Sequence, residues 1–394
     1  MANIKTGRNG VVLLCAVTYF VSYITRTNYG AIVSEMVAAT GYTKSMLSLA
    51  LTGSFITYGA GMIISGFLGD RIAPKKMVSA GLIGASIMNL LILLCADPWQ
   101  MLIVWCCNGF CQSLLWPPMV RILTAVQTPE EYKASVVKMT WGSSCGTIAV
   151  YLISPLLISW FSWKAVFLAS AVCGIVMIGL WNRFCPGVAV QKREKAQNKG
   201  GHVFSAVVIV IMAAIILHGM LRDGVTTWMP SYISETYNLS SVISILTGVV
   251  LPIFSIVCSQ VTSLLYRKKF TNPMVCAGVI FGVGALAALG LVFCTGKSAA
   301  LSVILSAVLN ACMHGVNLIM TCMLPPILAK DGNISLISGT LNSCTYVGSA
   351  ISTYGIAALT ESFGWGLTIS LWLLVAVVGT VLCLGCAKPM GKKA

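Results

Sequence analysis

Apolar runs parted by short polar or charged breaks fill this chain from Gly10 to Cys386. A helix that crosses hydrocarbon needs about 20 apolar residues, so about twelve crossings fit with little left over. The chain is 57% hydrophobic and 9% charged, with a mean hydropathy of +0.90, far too apolar for a soluble core to absorb. Lipid is therefore the expected solvent, and an all-α membrane protein the expected fold class, because a spanning segment must satisfy its backbone groups internally. Most of the 16 cysteines fall inside the apolar runs and read as small buried hydrophobes rather than as a disulfide framework. Lys5 and Arg8 precede a first run too long for a secretory signal, which reads as a retained first helix.

The runs predict helices over 10–35, 44–69, 75–96, 99–125, 131–158 and 163–184, then over 203–235, 240–266, 273–295, 299–328, 334–360 and 365–387. This gives a six-helix half over 1–185, a charged linker over 186–202 and a second six-helix half over 203–394. Net charge is +15, but twenty of the 25 basic residues lie in the breaks and helix ends on one side, with Lys44, Lys164 and Lys297 on the other. That bias places both termini in the cytoplasm and makes the charge a topology signal rather than a nucleic-acid surface. A bacterial-type inner membrane and a monomer are expected. No phosphate-cradling glycine loop, catalytic triad or metal-ligand spacing stands out, so neither an enzyme nor a cofactor is expected.

Three landmarks recur in the second half. Arg26 answers Arg222, Pro117 and Pro118 answer Pro325 and Pro326, and Phe161 to Trp163 answers Phe363 to Trp365, at offsets of 196, 208 and 202 residues. Three matches in helical order favour two pseudo-symmetric halves.

Arg26 and Arg222 are the two basic residues that fall within helices rather than at their ends. A charge at membrane depth costs at least about 2.5 to 3.5 kcal/mol on insertion scales, so such arginines face polar cavities and bind something. A guanidinium stays ionised and offers a planar fork that fits carboxylate or phosphate. Helical spacing puts Tyr19 and Tyr23 on the face of Arg26, and His218 one turn before Arg222. Gln112 and Trp116 share a stripe with Asn108 beside the first proline pair, while His314 with Asn310 and Asn317, and Asn342 with Tyr346, supply the second half. All are candidate substrate-binding residues for a small organic anion. Glu35 and Asp223 are the nearby acids. Neither is placed to serve both arginines, and Asp223, adjacent to Arg222, is expected to point about 100° away from it. Asp70 and Arg71, with Lys75 and Lys76, form a charge cluster that could gate the cytoplasmic side.

Tyr23, Arg26 and Asn28, then Gly66, Asp70 and Arg71, then Gly109, Gln112, Trp116, Pro117, Pro118 and Arg121 resemble the organophosphate:phosphate antiporter family of the major facilitator superfamily. In the second half Arg222, Gly224, Trp228, Pro230 and Tyr232 resemble its helix 7, and Phe363 to Trp365 its entry to helix 12. The resemblance implies a major facilitator fold with a central site. It also implies that Arg26 and Arg222 bind phosphate and that a phosphorylated metabolite exchanges for inorganic phosphate by alternating access. Bacterial glycerol-3-phosphate transporters carry a lysine where this chain has Met62 and a histidine where it has Ser143. Those two departures leave open a proton-coupled symporter of a carboxylate monoanion. A sensor built on a transporter fold is a third possibility.

Overall fold

A computed structural model of the chain describes residues 7–69, 72–187, 206–270, 272–328 and 334–387, and the described residues hold helices and turns but no strand. The chain divides into two compact units, 1–194 and 195–394.

In the first unit α1 is Arg8–Ala31, α2 Lys44–Gly69, α3 Pro74–Leu91, α4 Pro98–Ser113, α5 Pro129–Trp160 and α6 Trp163–Phe184. In the second unit α7 is Ala206–Tyr237, α8 Val250–Lys268, α9 Pro273–Cys294 and α10 Ala299–Asn317. The last helical stretch, Ile334–Gly385, turns at Gly364 (φ 73°, ψ −176°), which separates α11 (334–363) from α12 (365–385). Ten stretches among the described residues are long and apolar enough to cross a membrane. Dividing the last stretch at Gly364 makes eleven, and the broken α4 is not among them, against the expected twelve.

Helix starts follow from local chemistry. Proline opens α3, α4, α5 and α9, where a missing N–H costs nothing. Thr128 and Glu131 form a reciprocal capping box on α5, and Asp97 accepts from the Trp99 and Gln100 amides on α4. Lys75 donates through Nζ to the carbonyls of Asn182 (2.8 Å) and Cys185 (2.9 Å), closing the end of α6. Lys75, expected in a charge cluster with Asp70 and Arg71, has a structural task at this helix end.

Both proline pairs interrupt their helices, by different means. Pro117 and Pro118 cannot donate to the carbonyls four residues earlier, so α4 ends at Ser113 in two tight turns, Leu114 N to Cys111 O and Leu115 N to Gln112 O, each 3.2 Å. A second segment, Trp116–Val126, then resumes. Ahead of Pro325, α10 instead loosens into a π-helical turn, Leu318–Met323, closed by Leu324 N to Ile319 O at 2.9 Å. Continuous helices over 99–125 and 299–328 were expected, and the prolines divide both. The Phe-x-Trp landmarks mark equivalent corners, with Trp163 and Trp365 both buried.

The halves repeat one pairing scheme. α1 packs on α5 and α6, α2 on α4, and α3 on α4 and α6; likewise α8 packs on α10, and α9 on α10 and on the last helical stretch. α7 meets α11 closely enough that a Cβ on Gly348 would collide with the Ile216 carbonyl, as one on Gly146 of α5 would meet the Phe20 carbonyl of α1. Small residues at such crossings let backbones approach where lipid gives no hydrophobic drive between helices. The outward faces carry exposed Leu13, Ile103, Ile175, Leu286 and Val381, an inversion that only an apolar solvent tolerates.

Candidate functional site: two arginine clusters

In the first unit, the three- and seven-residue spacings on α1 do bring Tyr19, Tyr23 and Arg26 to one face. The Arg26 guanidinium carbon lies 4.1 Å from the centroid of the Tyr58 ring, 5.8 Å from Tyr23 and 6.0 Å from Phe55. Tyr19 meets Tyr23 edge-on at 5.1 Å and leans on Trp116 at 4.9 Å, so an aromatic row runs from Arg26 to the broken corner of α4. Ring faces attract a guanidinium by about 0.5 to 2 kcal/mol each, depending on desolvation, and hold its plane without neutralising its charge.

Tyr58 and Phe55, both on α2, were not among the expected residues. Phe55, Tyr58 and Met62 recur at three and four residues, so one stripe of α2 carries both rings and the methionine that replaces the family's lysine. That stripe was the available signal. Met62 is half-buried, and Ser143 turns its hydroxyl back to the Thr140 carbonyl at 2.7 Å.

Gln112 is engaged elsewhere. Its carbonyl accepts from Ser22 (2.7 Å) and its amide donates to Thr25 (2.8 Å), tying α4 to α1 in a buried setting. Asn108, Asn89, Asn28 and Ser170 extend the same polar ladder through α3 and α6. A buried amide satisfied in this way fixes helix register.

In the second unit, the expectation that Asp223 points away from Arg222 fails. Arg222 Nε donates to Asp223 Oδ1 and Nη2 to Oδ2, each at 2.8 Å, in a two-point fork. The backbone does separate neighbouring residues by about 100°, but arginine's three methylenes let its head curl back onto the next residue. Both side chains are mostly covered, at 12% and 17% exposure. Ser349 of α11 donates a very short hydrogen bond to Asp223 Oδ2, and Arg222 Nη1 reaches Asn317 Oδ1 at 3.4 Å. Asn310 donates to the Arg222 carbonyl (2.7 Å) and to Thr226 Oγ1 (2.8 Å), bracing α7 against α10.

The remaining candidates divide by burial. His218 is fully buried, with Nδ1 2.8 Å from the Ile215 carbonyl, and its Nε2 lies buried without a hydrogen-bond partner. His314 is half-buried one turn before Asn317, and both histidines lie within electrostatic reach of Arg222 and Asp223. Asn342 and Tyr346 are half-buried seven and three residues before Ser349, on its side of α11. Asp70 and Arg71, the gating candidates, lie outside the described residues. Among the described residues no group of histidine, cysteine and acidic side chains could hold a metal ion.

A model of the Major Facilitator Superfamily matches residues 15–353, most of the chain. The chain belongs to the major facilitator superfamily. UhpC, a membrane sensor protein of Salmonella typhimurium (strain LT2), is 22% identical over 72% of this chain and 71% of its own. The glycerol-3-phosphate transporter of Bacillus subtilis (strain 168) is 25% identical over 55% of each chain. These relatives accord with the resemblance to organophosphate:phosphate antiporters. The fold is shared with a bacterial homologue of the human lysosomal transporter Spinster in an inward-facing, occupied conformation, at a TM-score of 0.75 and 13% identity over 98% of this chain and 96% of that one. The chain is thus a multi-pass membrane protein of a transporter superfamily, and not an enzyme.

Proposed function

We propose that this protein moves a small organic anion across a bacterial-type inner membrane by alternating access, with a phosphorylated metabolite entering in exchange for inorganic phosphate. The observation that carries the proposal is the pair of arginines at corresponding positions of α1 and α7, each within a spanning helix and neither exposed. Membrane-depth guanidinium groups are costly enough to require a purpose, and their fork fits an oxyanion. The named glycerol-3-phosphate transporter among the relatives supports a phosphate ester as cargo. The charge bias of the breaks supports cytoplasmic termini. An inward step of one negative charge against an inside-negative potential costs about 2.3 kcal/mol per 100 mV, and exchange for internal phosphate offsets it.

The test is uptake by proteoliposomes. Vesicles loaded with inorganic phosphate should accumulate labelled glycerol-3-phosphate or phosphate, and empty vesicles should not. No uptake of either anion would defeat the phosphate version. Binding without flux would make the protein a sensor.

A second reading, proton-coupled symport of a carboxylate monoanion, is favoured by one observation. Asp223 neutralises Arg222, and Met62 and Ser143 supply no replacement charge, so these positions suit one negative charge better than two. Gluconate uptake driven by an inward proton gradient, with no need for internal phosphate, is its signature.

A further inference from the structure

Asp223 occupies the two donors, Nε and Nη2, that a carboxylate or phosphate would itself take from Arg222 in a two-point grip. An arriving anion and Asp223 therefore compete for one fork. If the anion wins, Asp223 is left as a carboxylate without its cation, mostly covered and within a spanning helix. Such a charge is not tolerated there, and binding a proton removes it.

The surroundings are built for both states of the carboxyl. Ser349 Oγ lies within hydrogen-bond distance of Asp223 Oδ2 and also of the Thr345 carbonyl, at 2.9 Å. A hydroxyl has one hydrogen and two lone pairs, so it donates to only one of these at a time. With Asp223 ionised, Ser349 gives its hydrogen to the carboxylate. With Asp223 protonated, the acid donates to Ser349 Oγ and Ser349 turns its own hydrogen to Thr345. In both states Asp223 Oδ2 and Ser349 Oγ keep a hydrogen-bond partner.

Resting on the reading that Arg222 binds the transported anion, we propose that Asp223 is a displaceable counter-ion. Each anion that takes the Arg222 fork leaves Asp223 carrying one proton drawn from water, and each release returns it. The step balances: a bound monoanion and a proton replace the Arg222–Asp223 pair, and the positions keep their net charge. His218 on α7 and His314 on α10 are titratable groups within electrostatic reach of Asp223 and Arg222, and Tyr346 lies one turn before Ser349 on α11. His314 and His218 are the rival proton acceptors: His218 uses Nδ1 on the Ile215 carbonyl, and its Nε2 lies buried without a hydrogen-bond partner. Asp223 acts through Arg222 and is a positioning residue with a titrating role.

An exchanger returns the proton with the outgoing anion, so binding rather than flux is the readout. Titration calorimetry of the purified full chain, repeated in buffers of different ionisation enthalpy, counts protons taken up per anion. The probes are sulfate and gluconate, whose charges are fixed between about pH 5 and pH 8, and glycerol-3-phosphate. The wild type should take up about one proton per anion bound, with affinity falling about tenfold per pH unit over part of the range. In Asp223→Asn the count for sulfate and gluconate should fall to zero, and their binding should become independent of pH and at least about tenfold tighter at the alkaline end. His314→Gln and His218→Gln, whatever their effect on affinity, should each keep the wild-type number of protons per anion bound. Binding without proton uptake, uptake lost in either histidine variant but kept in Asp223→Asn, or weaker binding by Asp223→Asn at every pH would each overturn the proposal. Failure of all three probes to bind either protein would overturn the anion reading itself, and this inference with it.

Discussion

Arg26 and Arg222 occupy corresponding helices of corresponding halves, yet one rests on aromatic faces and the other is gripped by a carboxylate. The difference is one of capacity. Ring faces orient a guanidinium without themselves cancelling its charge, so the wall beneath Arg26 steers its plane rather than neutralising it. A two-point carboxylate cancels the charge until something displaces it, so Arg222 presents a conditional one. Sequence symmetry placed two like residues, and their neighbours made them unlike.

The largest expected effect comes from breaking the second pair on one side only. Arg222→Ala should lower thermal stability by about 3 kcal/mol, because it leaves Asp223 buried without its partner. Arg222→Ala with Asp223→Ala should recover much of that loss, and equal melting temperatures for the single and double variants would show that the pair is not coupled. In the first half the balance reverses. Arg26→Ala should cost less stability than Arg222→Ala but reduce anion binding about 100-fold, as expected for loss of charge-assisted hydrogen bonds worth about 1.5 to 3 kcal/mol. A calorimetric affinity within a few-fold of wild type would remove Arg26 from the binding role.

The aromatic wall gives a finer test. Tyr58→Leu should weaken binding about fivefold by freeing the guanidinium, whereas Tyr58→Phe keeps the ring face and should be nearly silent. Equal losses in both variants would assign the effect to the hydroxyl instead. Smallest of all is the exposed pair Arg8–Glu131, 3.4 Å apart. The Thr128 backbone amide, followed by Arg8, holds the Glu131 carboxyl below the usual carboxylate range. A depressed acid stabilises the fold above its unfolded value and loses that contribution as pH falls through its folded value. Glu131→Gln should therefore melt slightly below wild type at neutral pH, with the gap closing in acid. A gap that widens in acid would contradict the assigned direction.

Hydropathy made the helices legible, because each crossing must be apolar along its length and the breaks must not be. It could not show how α4 and α10 stop being regular. Those breaks depend on which carbonyls lose donors, and the proline pairs hinted at where both fall. The arginines were legible because charge in lipid is rare. Their settings were not. The Tyr58 and Phe55 faces come from another helix, the Asp223 fork depends on a side chain bending back along its own helix, and Gln112 carries the same polar groups whether it binds cargo or joins α4 to α1. A pattern of residue types gives the reach of a side chain but not the partner that claims it first.

The two broken helices carry a consequence for the symmetry of the molecule. Ahead of the first proline pair the backbone winds tighter than an α-helix, and ahead of the second it winds looser. Overwinding advances the azimuth of everything downstream, and underwinding retards it. Met119 and Ile327, each two residues beyond a first proline or one beyond a second, therefore leave their breaks in different phases although they match in sequence. The halves are related by a repeat at the level of letters and by opposite torsion at the level of backbone, so an equivalent substitution past either break acts on a different compass bearing.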